Sequence, residues 1–251
     1  MKMKKLFFTS AIIGISLLNS CEVLDEASKM VTTSAPTNQN TTPKLTNAEV
    51  ISGLKEALNV GIKNSVVATS MTDGFLKNTT IRLPFPPDAQ KVKDKALEWK
   101  LDAKVEEFET TLNRAAEEAT KEALPIFKDA ILNMSVQDGF AILNGGDGAA
   151  TKYLKEQTTS KLVTAFTPKV KEATSKVKLT DYWNPIITKY NSAMSLTGGQ
   201  KLNPDLDAYI TQKAIEGLFY MVEKEENKIR KDPAARVTDI LVKVFGSLTN
   251  K

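Results

Sequence analysis

The chain has 251 residues, 41% hydrophobic and 25% charged, with a single cysteine and no histidine, a balance ordinary for a globular domain. The missing histidine removes the common zinc and non-haem iron sites, the Ser-His-Asp and Cys-His nucleophile arrangements and the most frequent general base. A lone Cys21 leaves no disulfide within the chain.

Met1 to Lys5 is basic and Leu6 to Leu18 is an unbroken run without charge, too short to span a bilayer and suited to a secretory signal. The run ends in Leu18-Asn19-Ser20-Cys21. A leucine three before a cysteine and a small residue just before it resemble the bacterial lipobox, with Asn19 a departure from the residues favoured in its slot. The resemblance implies cleavage before Cys21 and acyl chains on its sulfur and new amino group. Several chains anchor stably where one does not, each buried CH₂ adding about 0.8 kcal/mol. The other reading is an ordinary signal with a chance cysteine. Removing Lys2, Lys4 and Lys5 leaves 31 Lys+Arg against 30 Asp+Glu, a net charge of +1. That gives no bulk electrostatic case for nucleic acid.

Glu22 to Lys44 shifts to Thr, Ser, Asn, Gln and Pro, as in VTTSAPTNQNTTPK, which cannot fill a core. It reads as a tether with a reach of about 25–30 Å. The expected organisation is a signal over 1–20, a lipid-anchored tether over 21–45 and a helical domain over 46–251. A domain near that size buries about 70% of its unfolded surface.

Thr46 and Glu49 form a capping-box pattern, followed by the stripe Ile51, Leu54, Leu58, Ile62 and Val66. Gly61 within the stripe suggests a close helix crossing at a cost of about 1 kcal/mol against Ala. TTIRLPFPP, Thr79 to Pro87, is extended because residues before proline avoid the α region; it reads as a strap across helices. Asp88 to about Leu101 is a helix carrying Val92, Leu97 and Trp99. Lys104 to Ala123 is a stronger one, with Val105, Phe108, Leu112, Ala115, Ala116 and Ala119 on its buried side. Pro125 opens the next, and Ser135 and Asp138 mark a second capping box before Phe140, Ile142 and Leu143. NGGDG (Asn144 to Gly148) ends that helix and starts another near Ala149. A further helix is expected from about Ser160 to Val177, broken or kinked at Pro168, and another runs through TDYWNPIITKYNSAM to Gly198-Gly199.

The last third carries the longest pattern. Asn203-Pro204 reads as a helix start. Leu206, Ile210, Ala214, Leu218, Met221, Val222 and Ile229 then recur at spacings of three and four. Tyr209, Ile215 and Phe219 lie off that stripe, so the helix is enclosed by others. To about Arg230 it spans about 40 Å. With no run of alternating strands, the fold class is all-α, a single bundle-like domain of eight or nine helices.

LNRAAEEA (Leu112 to Ala119), ILNGGDGAATKYL (Ile142 to Leu154), the Asp138-Gly139 turn, IRLPFPP and EENKIRKDPAARVTDILVKVFG (Glu225 to Gly246) resemble the family called domain of unknown function 4197. The resemblance covers about residues 46–247. It implies a bacterial envelope protein, often with a signal peptide or lipobox, and a helical fold. It assigns no reaction, so no catalytic residue, cofactor or metal carries over.

Three groups of side chains invite a functional reading. Glu225, Glu226, Arg230, Asp232, Arg236 and Asp239 cluster in sequence, with Glu226 and Arg230 a favourable i, i+4 pair and Asp232-Pro233 a cap for the final helix. They make either a charge-stapled corner, with Val237, Ile240, Leu241, Val244 and Phe245 packing back, or an anion site on Arg230 and Arg236, or a cation site on the carboxylates. NGGDGAAT suggests a phosphate loop, but the GxxxxGK[ST] spacing is absent and Asp147 repels an anion, so it reads as a helix-to-helix turn. Arg114 and Glu117 form a structural ion pair or a ligand contact. Tyr182, Trp183, Tyr190 and Tyr209 read as core or rim aromatics, or as a groove for an apolar ligand or peptide.

The expectation is a non-enzymatic, lipid-anchored domain facing the periplasm from the outer membrane. Its partners would be the membrane, through Cys21, and a small or hydrophobic ligand or an envelope protein. The alternatives are a histidine-free enzyme built on Glu117, Glu226 and Asp232 with Arg114 or Arg230, and a purely structural envelope protein.

Overall fold

Thr46 and Glu49 exchange both bonds of their capping box, Thr46 N–H donating to Glu49 Oε2 at 2.8 Å and Glu49 N–H to Thr46 Oγ1 at 3.2 Å. That reciprocal cap starts α1 (Asn47–Ser70). The computed structural model describes residues 45–176, 179–203 and 205–249, all within the unit Leu45–Lys251 into which the chain divides. The expected signal, Cys21 and tether lie outside the described residues. After α1 come α2 (Gln90–Glu98), α3 (Asp102–Thr120), α4 (Ala123–Leu132), α5 (Val136–Asn144), α6 (Ala149–Lys176), α7 (Leu179–Thr197), α8 (Leu206–Lys231) and α9 (Asp239–Thr249). Single 3₁₀ turns at Pro87–Ala89 and Pro233–Ala235 precede α2 and α9. The described residues are thus all-α, with nine α-helices among them. No helix among them is long and apolar enough to cross a membrane.

The fold is laid around α8. Its stripe of Leu206, Ile210, Ala214, Leu218, Val222 and Ile229 is buried, and so are Ile215 and Phe219 off that stripe. Apolar side chains on more than one face require neighbours on more than one side, and α1, α3 and α6 supply them. Phe219 meets Phe127 of α4 edge-on, with ring centroids 5.7 Å apart. Each fully buried side chain of this size contributes about 1.5–3 kcal/mol.

The extended segment is a strap, as its prolines require. Ile81, Leu83 and Phe85 point inward and are buried, while Arg82 and Pro84 between them are exposed. With no neighbouring strand described, Leu83 finds its backbone partners on a side chain. Its N–H donates to Asn113 Oδ1 at 2.8 Å, and its carbonyl accepts from Asn113 Nδ2 at 2.9 Å.

Three local expectations are corrected. The cap of α8 is Asp205, whose carboxylate accepts from Ala208 N–H at 2.8 Å, while Asn203 accepts from Asp205 N–H at 2.9 Å in the turn before it. The two helices expected on either side of Ser160 are one, α6, running through Pro168. An interior proline costs about 3 kcal/mol; Leu162, Phe166 and Val170, all fully buried beside it, hold the helix together. Gly61 is not the tightest crossing, because a Cβ there would meet Glu225 and Ile229 only at 3.7 Å.

Gly217 of α8 is among the crowded glycines: a Cβ there would lie 2.6 Å from Phe75 Cε1 and 3.2 Å from Ile81 Cβ. Phe75 is fully buried and cannot step aside. Gly217→Ala is therefore expected to destabilise by about 1–3 kcal/mol through overpacking. Gly61→Ala should instead be neutral or stabilising by up to about 1 kcal/mol, from helix propensity. Urea unfolding of the two variants measures both; equal losses would contradict this packing.

Candidate functional site

A helix that starts or ends inside a protein leaves N–H or C=O groups that must find partners. α6 starts and α5 ends against α8, and the charged residues of α8 meet both. Glu226, 8% exposed, accepts from Ala150 N–H at 3.0 Å on Oε1, and from Thr151 N–H at 2.9 Å and Thr151 Oγ1 at 2.8 Å on Oε2. The NGGDGAAT helix start thus holds an anion, but the anion is the protein's own carboxylate at the positive end of α6. Arg230 Nε donates to Glu226 Oε1 at 3.0 Å, and Arg230 Nη2 to the Ile142 carbonyl at 2.8 Å at the end of α5. Asn227 Oδ1 accepts from Gly148 N–H at 3.3 Å, and Lys231 pairs with Asp147. Gly146 and Gly148, with φ of 76° and 74°, turn the chain between the two helices. The turn is clamped from one side by one turn and a half of α8.

Arg236 is 7% exposed and closes the C-terminal end of α8 itself. Its Nε donates to the Ile229 carbonyl at 3.2 Å and its Nη2 to the Arg230 carbonyl at 2.9 Å, a cation on the negative end of α8. Asp232 is corrected. It caps the Pro233–Ala235 turn, accepting from Ala234 N–H at 2.9 Å, and not α9, which Thr238 caps through Leu241 N–H at 3.4 Å. Val237, expected to pack back, is 69% exposed, whereas Leu241, Val244 and Phe245 are buried. The residues Glu226, Arg230, Asp232 and Arg236 are thus brought together as caps on successive helix ends.

Arg114 and Glu117 form the expected ion pair at 2.7 Å on α3, against a different loop. Glu117, 4% exposed, accepts from Phe75 N–H at 3.1 Å and Leu76 N–H at 3.2 Å, and Arg114 reaches Asp73 at 2.6 Å. The Asp73 carboxyl is held below the usual range by its bonds to Lys77 and Arg114, and the Arg114 guanidinium is raised by Glu117 and Asp73. Sequence reasoning missed the neighbouring group. Glu109, on the buried side of α3, pairs with Lys93 at 2.6 Å and Arg82 of the strap at 2.9 Å, one turn before Asn113. A carboxylate and an amide four apart within the apolar stripe of Val105, Leu112 and Ala116 were the signal, since buried polar groups need partners.

Trp183 is buried and sits against Phe108 and Phe85, with centroids at 5.6 and 6.0 Å. Tyr190 is half-buried; the Tyr182 side chain lies outside the described residues. Tyr209 donates its hydroxyl to the Pro84 carbonyl at 3.2 Å, and burial pushes its phenol up to about 12. Trp183 and Tyr209 fasten the strap. Beside Glu226 and Arg230, Leu54, Leu58, Ile62, Val222 and Phe245 line a cavity of ≈ 20 Å³ open to water centres. It takes about one water, far below the roughly 300–1,000 Å³ of a small-molecule pocket. Among the described residues no group of three or more His, Cys, Asp or Glu is gathered as metal ligands would be.

Fold and site together define a helical domain whose buried charges cap helix ends and turns. The sequence model of the family described as a protein of unknown function (DUF4197) matches residues 44–246, and the chain belongs to that family. No curated protein and no solved structure matches it.

Glu226→Ala leaves the buried Arg230 and two helix-start amides without their acceptor, and should destabilise by about 3–5 kcal/mol. Glu225→Ala, which removes an exposed bond to Asn64, should change stability by no more than about 0.5 kcal/mol. Denaturant midpoints distinguish them. Tyr209 gives a pH test. Its folded pKa lies above the ordinary value of 10.0, so its contribution is complete below pH 10 and is lost as the pH rises toward 12. The stability advantage of wild type over Tyr209→Phe should therefore shrink across that window; an advantage that stays constant would place the phenol in water.

Proposed function

We propose that this is a lipid-anchored cell-envelope protein whose helical domain works by binding another envelope protein through its outer surface, rather than by catalysis. The observation that carries the reading is the bonding of the residues the sequence offers for chemistry. Glu117, Glu226, Arg230 and Arg236 are held by backbone groups of neighbouring loops and helix ends. A buried carboxylate whose oxygens accept backbone N–H groups is taken up in holding the chain rather than presented to a substrate. The ≈ 20 Å³ cavity argues against a lipid or drug-sized ligand at that place, and so favours the exterior. The anchor rests on Leu18-Asn19-Ser20-Cys21, and the periplasmic face of the outer membrane is the placement it suggests.

Intact-mass spectrometry of the protein expressed in a bacterium tests the anchor. The expected mature chain begins at Cys21 and carries acyl mass, and Cys21→Ala moves the protein from the membrane to the soluble fraction. A free thiol at Cys21, or an amino terminus at Met1, overturns it.

A further inference from the structure

The corner between α2 and α3 is turned by Trp99, Lys100 and Leu101, none of them glycine or proline. Lys100 N–H donates to the Leu97 carbonyl and Leu101 N–H to the Ala96 carbonyl, both at 2.9 Å, the closure that ends a helix on a left-handed residue. That residue is Lys100, with φ of 57°. Asp73 is the other described residue with positive φ that is not glycine. Aspartate tolerates that region, and Lys77 and Arg114 hold Asp73 there. Lysine does not visit it routinely, and its side chain there stores strain.

The apolar register runs straight through the corner. Leu97, Leu101, Val105, Phe108 and Leu112 follow at spacings of four, four, three and four, which is one face of a single helix. In the bent chain that face is interrupted: Val105 and Leu112 are buried, whereas Leu97 is 38% and Leu101 43% exposed. The pattern is that of one helix from Gln90 to Thr120, about 46 Å long, which the fold of a single copy breaks. Within one chain the bend is obligatory. Lys93 reaches Glu109 at 2.6 Å, Ala89 is buried, and the strap before α2 closes on Asn113. A straight helix would hold residues 93 and 109 about 24 Å apart and draw the strap from its place.

We propose that two copies of this chain exchange residues 45–99 by opening this corner. α2 and α3 then form one helix, and each α2, with its strap and α1, docks on the α3 of the other copy. The contacts of the closed domain are remade between chains, the Lys93–Glu109 pair and the Leu83–Asn113 bonds among them. Two strained residues relax, and Leu97 and Leu101 meet their counterparts where the two straight helices cross. Like charges four apart in such a helix, Glu98 with Asp102 and Lys100 with Lys104, oppose it weakly. Exchange is a low-cost route to a dimer, and a short strained hinge invites it. The inference needs neither the anchor nor the envelope partner proposed above.

The test takes the full chain in mild detergent, unfolds it in urea and refolds it over a range of concentrations, with protein mass read by size exclusion and light scattering. Wild type is expected to give a dimer fraction that grows with the concentration during refolding and persists on dilution. Lys100→Gly accepts the closed corner without strain and weakens the straight helix. It should lower the dimerisation constant about a hundredfold, tenfold for each of the two corners. Lys100→Ala keeps the strain and favours the helix, and should keep or raise the constant. Copies with different affinity tags should form mixed dimers when refolded together and not when mixed already folded. Monomer at every concentration overturns the proposal. So does a dimer that Lys100→Gly leaves intact, or one whose folded copies trade partners within minutes, since either is a contact between closed corners.

Discussion

A buried helix end is the constraint from which the rest of this structure follows. α5 ends and α6 begins against α8; the turn from Asn144 to Asp147 is exposed, but Leu143, Ala150 and Thr151 on either side of it are buried, and the free carbonyl and amide groups there must be answered by side chains. Glu226 answers the amides of Ala150 and Thr151, and Arg230 answers the Ile142 carbonyl while pairing with Glu226. Neither charge would be tolerable alone at such depth. Joined to each other and to two helix ends, they fix where α5, α6 and α8 meet. Glu117 and Asn113 do the same for the turn at Phe75 and the strap at Leu83.

The domain thus uses its charges in place of strand ladders. The strap has the inward alternation of a strand yet borrows its hydrogen bonds from an asparagine, because helices surround it. Arg82 and Lys93 meet on Glu109, so the strap and α2 are tied to α3 through one carboxylate. The charged strings LNRAAEEA (Leu112 to Ala119) and EENKIRKDPAAR (Glu225 to Arg236) are those that hold turns and helix ends. The domain's outward features, by contrast, are the exposed apolar corner at Trp99 and the faces that carry no such bonds.

What could be read from the sequence was what is local. The boxes at Thr46–Glu49 and Ser135–Asp138, the stripes of α1, α3 and α8, the glycine turn before Ala149 and the strap all follow from residues a few positions apart. The failures have non-local causes. Asn203 and Asp205 are both competent caps, and only the position of the first buried turn decides between them. Pro168 reads as a break until Leu162, Phe166 and Val170 are seen packed against other helices. Gly61 and Gly217 look alike in sequence; only Phe75, far off in the chain, makes one of them crowded. Within the site, the Glu226–Arg230 pair was visible as an i, i+4 spacing, but its backbone partners some eighty residues away were not. Asp232 stands before a proline, and the single 3₁₀ turn it caps is too short for any periodic signal.

If the charged residues of α8 are caps, the amides they cover must behave as interior amides. The first N–H groups of an ordinary helix exchange quickly with water, since nothing within the helix accepts from them. Site-resolved hydrogen exchange at Ala150 and Thr151 measures this directly. Protection comparable to that of the buried stretch from Ile210 to Val222 is the predicted result. Exchange at the rate of an open helix start would mean that Glu226 is free for other work, and would contradict the account.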